Sequence, residues 1–169
     1  IGVKSEEGEG SRFRVTLVFD LDHSVPTEAP TQRVDLADVR VLVVDQYQTF
    51  RKVISEQLTA GGLKVSVSSS GEEALTALRK AESDDNPFNM VLVGRQLPGM
   101  DGALLGQTIK SEFSNKALVM VTPTGQRGDA TQIAELGFAA YLSGPMRQRD
   151  LLEALSRVWA AHVEGKDAA

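Results

Sequence analysis

The arginines of the C-terminal third of this chain are the residues whose type and spacing most suggest chemistry. Arg127, Arg147 and Arg149 are the only basic residues between Lys116 and Arg157, and Tyr141, Pro145 and Asp150 fall among them. A guanidinium offers paired N–H donors that grip a phosphate, or the O6/N7 edge of guanine, in bidentate fashion. It also stacks on flat rings. A tyrosine adds a stacking face and a hydroxyl, and a helix starting nearby adds backbone N–H donors and the positive end of its dipole. Such a set suits an anionic aromatic ligand. The plainer reading is that Arg147 and Arg149 are solvated, that Tyr141 is a structural aromatic, and that Asp150 favours the first turn of a helix by charge–dipole attraction. The residue types alone leave both open.

Composition narrows the other chemistries. There is no cysteine among the 169 residues, which excludes disulfides, thiolate catalysis and cysteine-ligated metal. His23 and His162 lack the flanking pattern of a phosphorylated histidine and read as solvated surface. A net charge of −5 and a pI near 5.1 argue against a general nucleic-acid binder, whose affinity rests on neutralising phosphates; no basic recognition helix is visible. No apolar run approaches the ~18 residues that a membrane-spanning helix needs. The chain opens at Ile1 with nothing resembling a signal peptide, so the expectation is a stretch of a longer cytoplasmic protein.

The elements that must position these groups follow from the hydrophobic pattern. Apolar runs recur at Val39–Val44, Val65–Val67, Met90–Val93, Ala117–Val121 and Ala139–Leu142. The gaps carry helical periodicity: Phe50, Val53, Ile54 and Leu58; Ala74, Leu75 and Leu78; Leu104, Leu105 and Ile109; Ile133, Ala134 and Leu136; then Leu151, Leu152, Leu155, Val158, Trp159 and Ala161. Fully apolar strands alternating with amphipathic helices mean a parallel sheet covered on both faces. Five such units predict an α/β, flavodoxin-like (βα)5 fold with sheet order 2-1-3-4-5 and its site at the carboxyl ends of the strands. Before them, residues 1–19 read as two short strands around the turn at 6–11, the torn edge of a neighbouring domain, and residues 20–38 as a linker. Residues 1–38 hold four basic and eight acidic side chains, so most of the acidity sits there. Residues 39–163 form the predicted domain, and 164–169 are a tail.

The expected strand ends carry Asp45-Gln46, then Gly94 followed by Leu97-Pro98-Gly99-Met100-Asp101-Gly102, then Thr122, then Tyr141 to Pro145. With these motifs residues 39–163 resemble a response-regulator receiver domain, the phosphoacceptor half of two-component signalling. The resemblance covers about three quarters of the chain. It implies two acids after the first strand, a phosphoacceptor aspartate after the third, a Ser/Thr after the fourth and a lysine after the fifth. Here Asp45 and Thr122 match; Gln46 stands for the second acid, Gly94 for the acceptor and Gly144 for the lysine. Glycine cannot be a nucleophile, and one carboxylate is a poor seat for Mg²⁺. Neither Asp45 nor Asp101 is expected to sit where Gly94 points. The expectation is a pseudo-receiver without catalysis or metal, in which Asp45 caps a loop.

Residues 1–13, with Gly8-Glu9-Gly10-Ser11-Arg12-Phe13, resemble the closing strands of a histidine-kinase ATP-binding domain. The order resembles a hybrid histidine kinase in a phosphorelay. Arg147-Gln148-Arg149-Asp150 has the Arg-x-x-Asp spacing of a cyclic di-GMP-binding phrase. Resemblance to hybrid kinases activated by that dinucleotide implies that Arg127, Tyr141, Pro145 and Arg147, with Arg149 and Asp150, form the ligand site. That site would lie on the face built by the fourth helix, fifth strand and fifth helix. The partners implied are cyclic di-GMP and the kinase core or a following receiver, whose inhibition the ligand relieves. The alternative is a docking module with no small ligand.

Overall fold

Val41, Leu42, Val43 and Val44 expose 1% of their surface or less, because a strand in the middle of a parallel sheet is covered on both faces. The computed structural model describes residues 1–18, 36–113, 115–122 and 133–165. These fall into two units, Ile1–Thr31 and Gln32–Ala169. In the larger unit the strands β3 (Arg40–Val44), β4 (Lys64–Ser68), β5 (Met90–Gly94), β8 (Ala117–Thr122) and β9 (Ala140–Ser143) make one sheet ordered β4-β3-β5-β8-β9, parallel throughout. This is the expected 2-1-3-4-5 order. Each apolar run became a strand within one residue of its expected ends.

Among the described residues, four helices cover the sheet: α1 (Gln48–Ala60), α2 (Gly71–Ser83), α3 (Gly102–Glu112) and α4 (Gln148–Val163). Ser70 caps α2, its hydroxyl accepting from Glu73 N–H, while the Glu73 carboxylate reaches back to Ser69 N–H at 2.6 Å. This reciprocal arrangement satisfies N–H groups that a helix start leaves orphaned. Residues 133–135 form a further helical turn, and the residues expected to open the fourth helix of the repeat lie outside the described set. The core divides into a layer under α2 and α3, with Ile133 and Phe138, and a layer under α1 and α4.

Three apolar residues left the expected stripes, exposed Ala134 being one. Val53 is 45% and Leu104 is 52% exposed, since the inward rows run through Ile54 and Leu58 and through Leu105 and Ile109. Leu36, assigned above to the linker, is 7% exposed and packs into the α1/α4 core layer, so the folded unit already includes it.

The smaller unit is the antiparallel hairpin β1 (Gly2–Glu6) and β2 (Gly10–Arg14), with Val3 opposite Phe13. Gly8 and Gly10 turn it with φ of 85° and 99°. The alternation expected to run on to residue 19 stops pairing at Arg14, and both apolar partners are exposed. Between β5 and α3 a two-residue ribbon, β6 (Gln96–Leu97) with β7 (Met100–Asp101), turns at Pro98-Gly99. Gly99 has φ of 72°, the left-handed value that the third residue of such a turn demands and that glycine adopts freely.

Candidate functional site

The registers bring the expected site residues to one edge of the sheet. Val44 pairs with Val93, Gly94 with Val121, and Thr122 with Ser143. Asp45 follows β3 directly, Gly94 and Thr122 end their strands, and Gly144 follows β9. Gly144 N–H donates to Thr122 C=O at 2.8 Å, and the Gly144–Pro145 peptide is cis. Thr122 is 4% exposed.

Asp45 is buried, with 5% exposure. Its Oδ1 accepts the N–H of Tyr47 at 2.7 Å, the loop-closing bond that an aspartate makes with the backbone two residues on. Arg51 Nη1 donates to the Asp45 backbone carbonyl at 2.5 Å. Burial pushes the Asp45 carboxyl above its ordinary range; the Tyr47 N–H and the Arg51 charge pull the other way and do not overcome it. The other carboxylate oxygen points across to β5. A Cβ added to Gly94 would lie 3.1 Å from Asp45 Cγ, and closer still to Oδ2 than non-bonded atoms approach. This corrects one expectation: Asp45 does sit where Gly94 points. Asp101 does not. It caps α3, its Oδ1 accepting Ala103 N–H at 2.7 Å.

Gly102 is fixed by the same edge. A Cβ there would lie 3.1 Å from the Arg95 carbonyl and nearer still to that of Gly94. The Asp101-Gly102 pair therefore joins the ribbon to α3 at a backbone approach that admits no side chain. Among the described residues, no group of three or more His, Cys, Asp or Glu side chains could hold a metal. Asp45 beside Gln46 offers one carboxylate, already engaged with Tyr47 N–H, which does not fit a Mg²⁺ seat built from several carboxylate and phosphate oxygens.

The second candidate set follows β9. Tyr141 pairs with Met120 in the sheet, and its half-buried ring packs on the α2/α3 core layer. Pro145, Arg147, Arg149 and Asp150 are exposed. Arg147 is the cap residue of α4 and makes no side-chain capping bond; Asp150 lies in the first turn. Arg127 lies outside the described residues. The residues that the sequence reading missed are Tyr47 and Arg51, which hold Asp45. The spacing of Asp45 and Tyr47 after an apolar strand was the available signal.

Comparison with known proteins places this geometry. A family model described as the response regulator receiver domain matches residues 41–156. The chain is 27% identical over 128 residues to the response regulator protein FleR of Pseudomonas aeruginosa, covering 76% of this chain and 26% of FleR. It is 25% identical over 130 residues to the osmosensing histidine protein kinase SLN1 of Saccharomyces cerevisiae, covering 76% of this chain and 11% of SLN1. The chain thus spans about a quarter of the length of FleR and about a tenth of that of SLN1. Among solved structures, a CheY-like receiver domain protein of Methanospirillum hungatei superposes with a TM-score of 0.66 at 22% identity, over 76% of this chain and 99% of that one. No helix among the described residues is long and apolar enough to cross a membrane.

Proposed function

Since the chain belongs to the response regulator receiver family, we propose that it is a receiver whose aspartyl-phosphate chemistry has been lost and whose signal arrives by reversible binding. The observation that carries this reading is the Asp45 carboxylate lying in the space of a side chain at Gly94. A working acceptor needs its own carboxylate there, a cation to neutralise the phosphoryl group and a second acid for the metal. Gly94, Gly144 and Gln46 supply none of these.

The ligand proposed is cyclic di-GMP, held where β9 runs into α4. Exposed Arg147 and Arg149 suit its phosphates and guanine edges. The part-exposed Tyr141 ring and Pro145 give flat apolar surface beside them, and Arg127 and Asp150 complete the set. The parent chain is proposed to be a hybrid histidine kinase. Its kinase core or following receiver docks on the same face and holds it inactive until the dinucleotide competes. Moving such an equilibrium from 1:99 to 99:1 takes about 5.5 kcal/mol of differential affinity, so ligand must be present well above its dissociation constant. Calorimetric titration of the chain with cyclic di-GMP tests this. Saturable heat that is lost in Arg147→Ala supports the proposal. No heat with either protein favours a docking module without a small ligand.

A further inference from the structure

We propose a second binding site, for a small oxyanion, at the opposite edge of the sheet, built around Arg40. A cavity of about 230 Å³ opens between the start of β3, the middle of β4 and the C-terminal half of α2, lined by Arg40, Ser66, Lys80, Asp84, Asn86 and Phe88 among others. That volume is several times the ~30 Å³ share of one water molecule. The Arg40 guanidinium lies over the Phe88 ring, 4.6 Å from its centroid. The Arg40 backbone is held from both sides by Asn89: Arg40 N–H donates to Asn89 Oδ1 at 2.8 Å, and Asn89 N–H donates to Arg40 C=O at 2.9 Å.

The cation so positioned is incompletely satisfied. Arg40 Nη1 exposes essentially no surface and, among the described residues, has no hydrogen-bond partner. A guanidinium stays charged, and a buried donor on a charged group that lacks an acceptor is costly. An anionic oxygen is the complement it lacks, and because Nη1 exposes no surface it meets one only after the guanidinium turns toward the cavity. Lys80, exposed in the last turn of α2, adds a second cation at the mouth, and Ser66 and Asn86 add polar groups. Asp84 and the carbonyl end of α2 oppose an anion there, so the favoured ligand is small and reaches past them to Arg40. Carboxylates and phosphates share this chemistry. The site uses none of the residues assigned to the dinucleotide, so it stands or falls independently of that reading.

The test is titration of the ¹⁵N-labelled chain with inorganic phosphate and, separately, acetate, each against sodium chloride at matched ionic strength. Saturable shifts confined to Arg40, Ser66, Asn86, Phe88 and the Arg40 side-chain N–H groups are expected, with the stronger anion identifying the ligand class. In Arg40→Met the affinity is expected to fall at least tenfold. The surface variant Lys80→Gln, which leaves the core untouched, is expected to weaken binding by a smaller factor. Shifts no larger than those in sodium chloride, or binding unchanged in Lys80→Gln together with Arg40→Met, would overturn the proposal.

Discussion

The Asp45 carboxylate and the Gly94 backbone share one space: any side chain at position 94 would meet Asp45 Oδ2 and, at 3.1 Å, both Asp45 Cγ and the Val44 carbonyl. The two residues are therefore a packed pair, and the small one is a condition of the buried acid. An energetic coupling follows. Gly94→Ala is expected to cost about 1–3 kcal/mol, as overpacking does. In the Asp45→Ala background the same change should cost less, with only the contact to the Val44 carbonyl remaining. Urea unfolding of the four proteins gives the coupling; additive effects would show that the two do not compete.

Asp45 also sets a pH dependence. Its folded value is raised by burial, so the folded state holds the proton more tightly than the unfolded one, and stability falls as pH rises from the unfolded value through the folded one. Above that window the cost is constant. Asp45→Asn keeps an acceptor for Tyr47 N–H and removes the charge. Its stability relative to the parent is expected to grow as pH rises from below 3.8 and then to level off above the raised folded value. Thermal unfolding across this range checks it; a gap that narrows with rising pH would mean that the carboxylate is stabilised in place.

Gly106 and Phe138 are a second packed pair. A Cβ on Gly106 would lie 3.3 Å from Phe138 Cε1 and closer to two other ring atoms, and Phe138 is 2% exposed. The ring rests directly on the α3 backbone. Gly106→Ala is expected to destabilise by about 1–3 kcal/mol despite the better helix propensity of alanine. Phe138→Leu is expected to relieve part of that cost. Calorimetric melting of the single and double variants reads the effect.

Much of this fold was legible because strands buried on both faces write themselves as uninterrupted apolar runs, and Met90–Gly94 and Ala117–Thr122 are buried at every position. The helix stripes were less exact. Val53 and Leu104 each adjoin a truly buried neighbour, Ile54 and Leu105, and periodicity near 3.6 does not say which of two adjacent apolar residues faces inward. At the site, the replacements at Gly94 and Gly144 could be read directly. The meeting of Asp45 with Gly94 could not, because it joins residues from two strands through a rotamer that sequence does not encode. The same holds for Lys116, just before β8, whose partner Glu82 stands on α2.

Lys116 is 1% exposed and its Nζ lies 2.6 Å from Glu82 Oε1, whose side chain is 40% exposed. Removing only the acid leaves a buried cation without its counter-charge. Glu82→Gln is expected to be destabilising, though by less than the ~3–5 kcal/mol of a fully buried pair. Lys116→Met, which removes the charge and keeps the stem, is expected to cost less than Glu82→Gln. Denaturant midpoints of the two variants decide the order; the reverse order would make Lys116 a group that solvent satisfies.

The most direct test of the central reading is the intact mass of the folded chain after incubation with acetyl phosphate and Mg²⁺. The mass is expected to stay unchanged, because no side chain projects from Gly94 and Asp45 is buried against it. A stable phosphoryl adduct on the folded protein, mapped to Asp45 or to any other carboxylate, would contradict it.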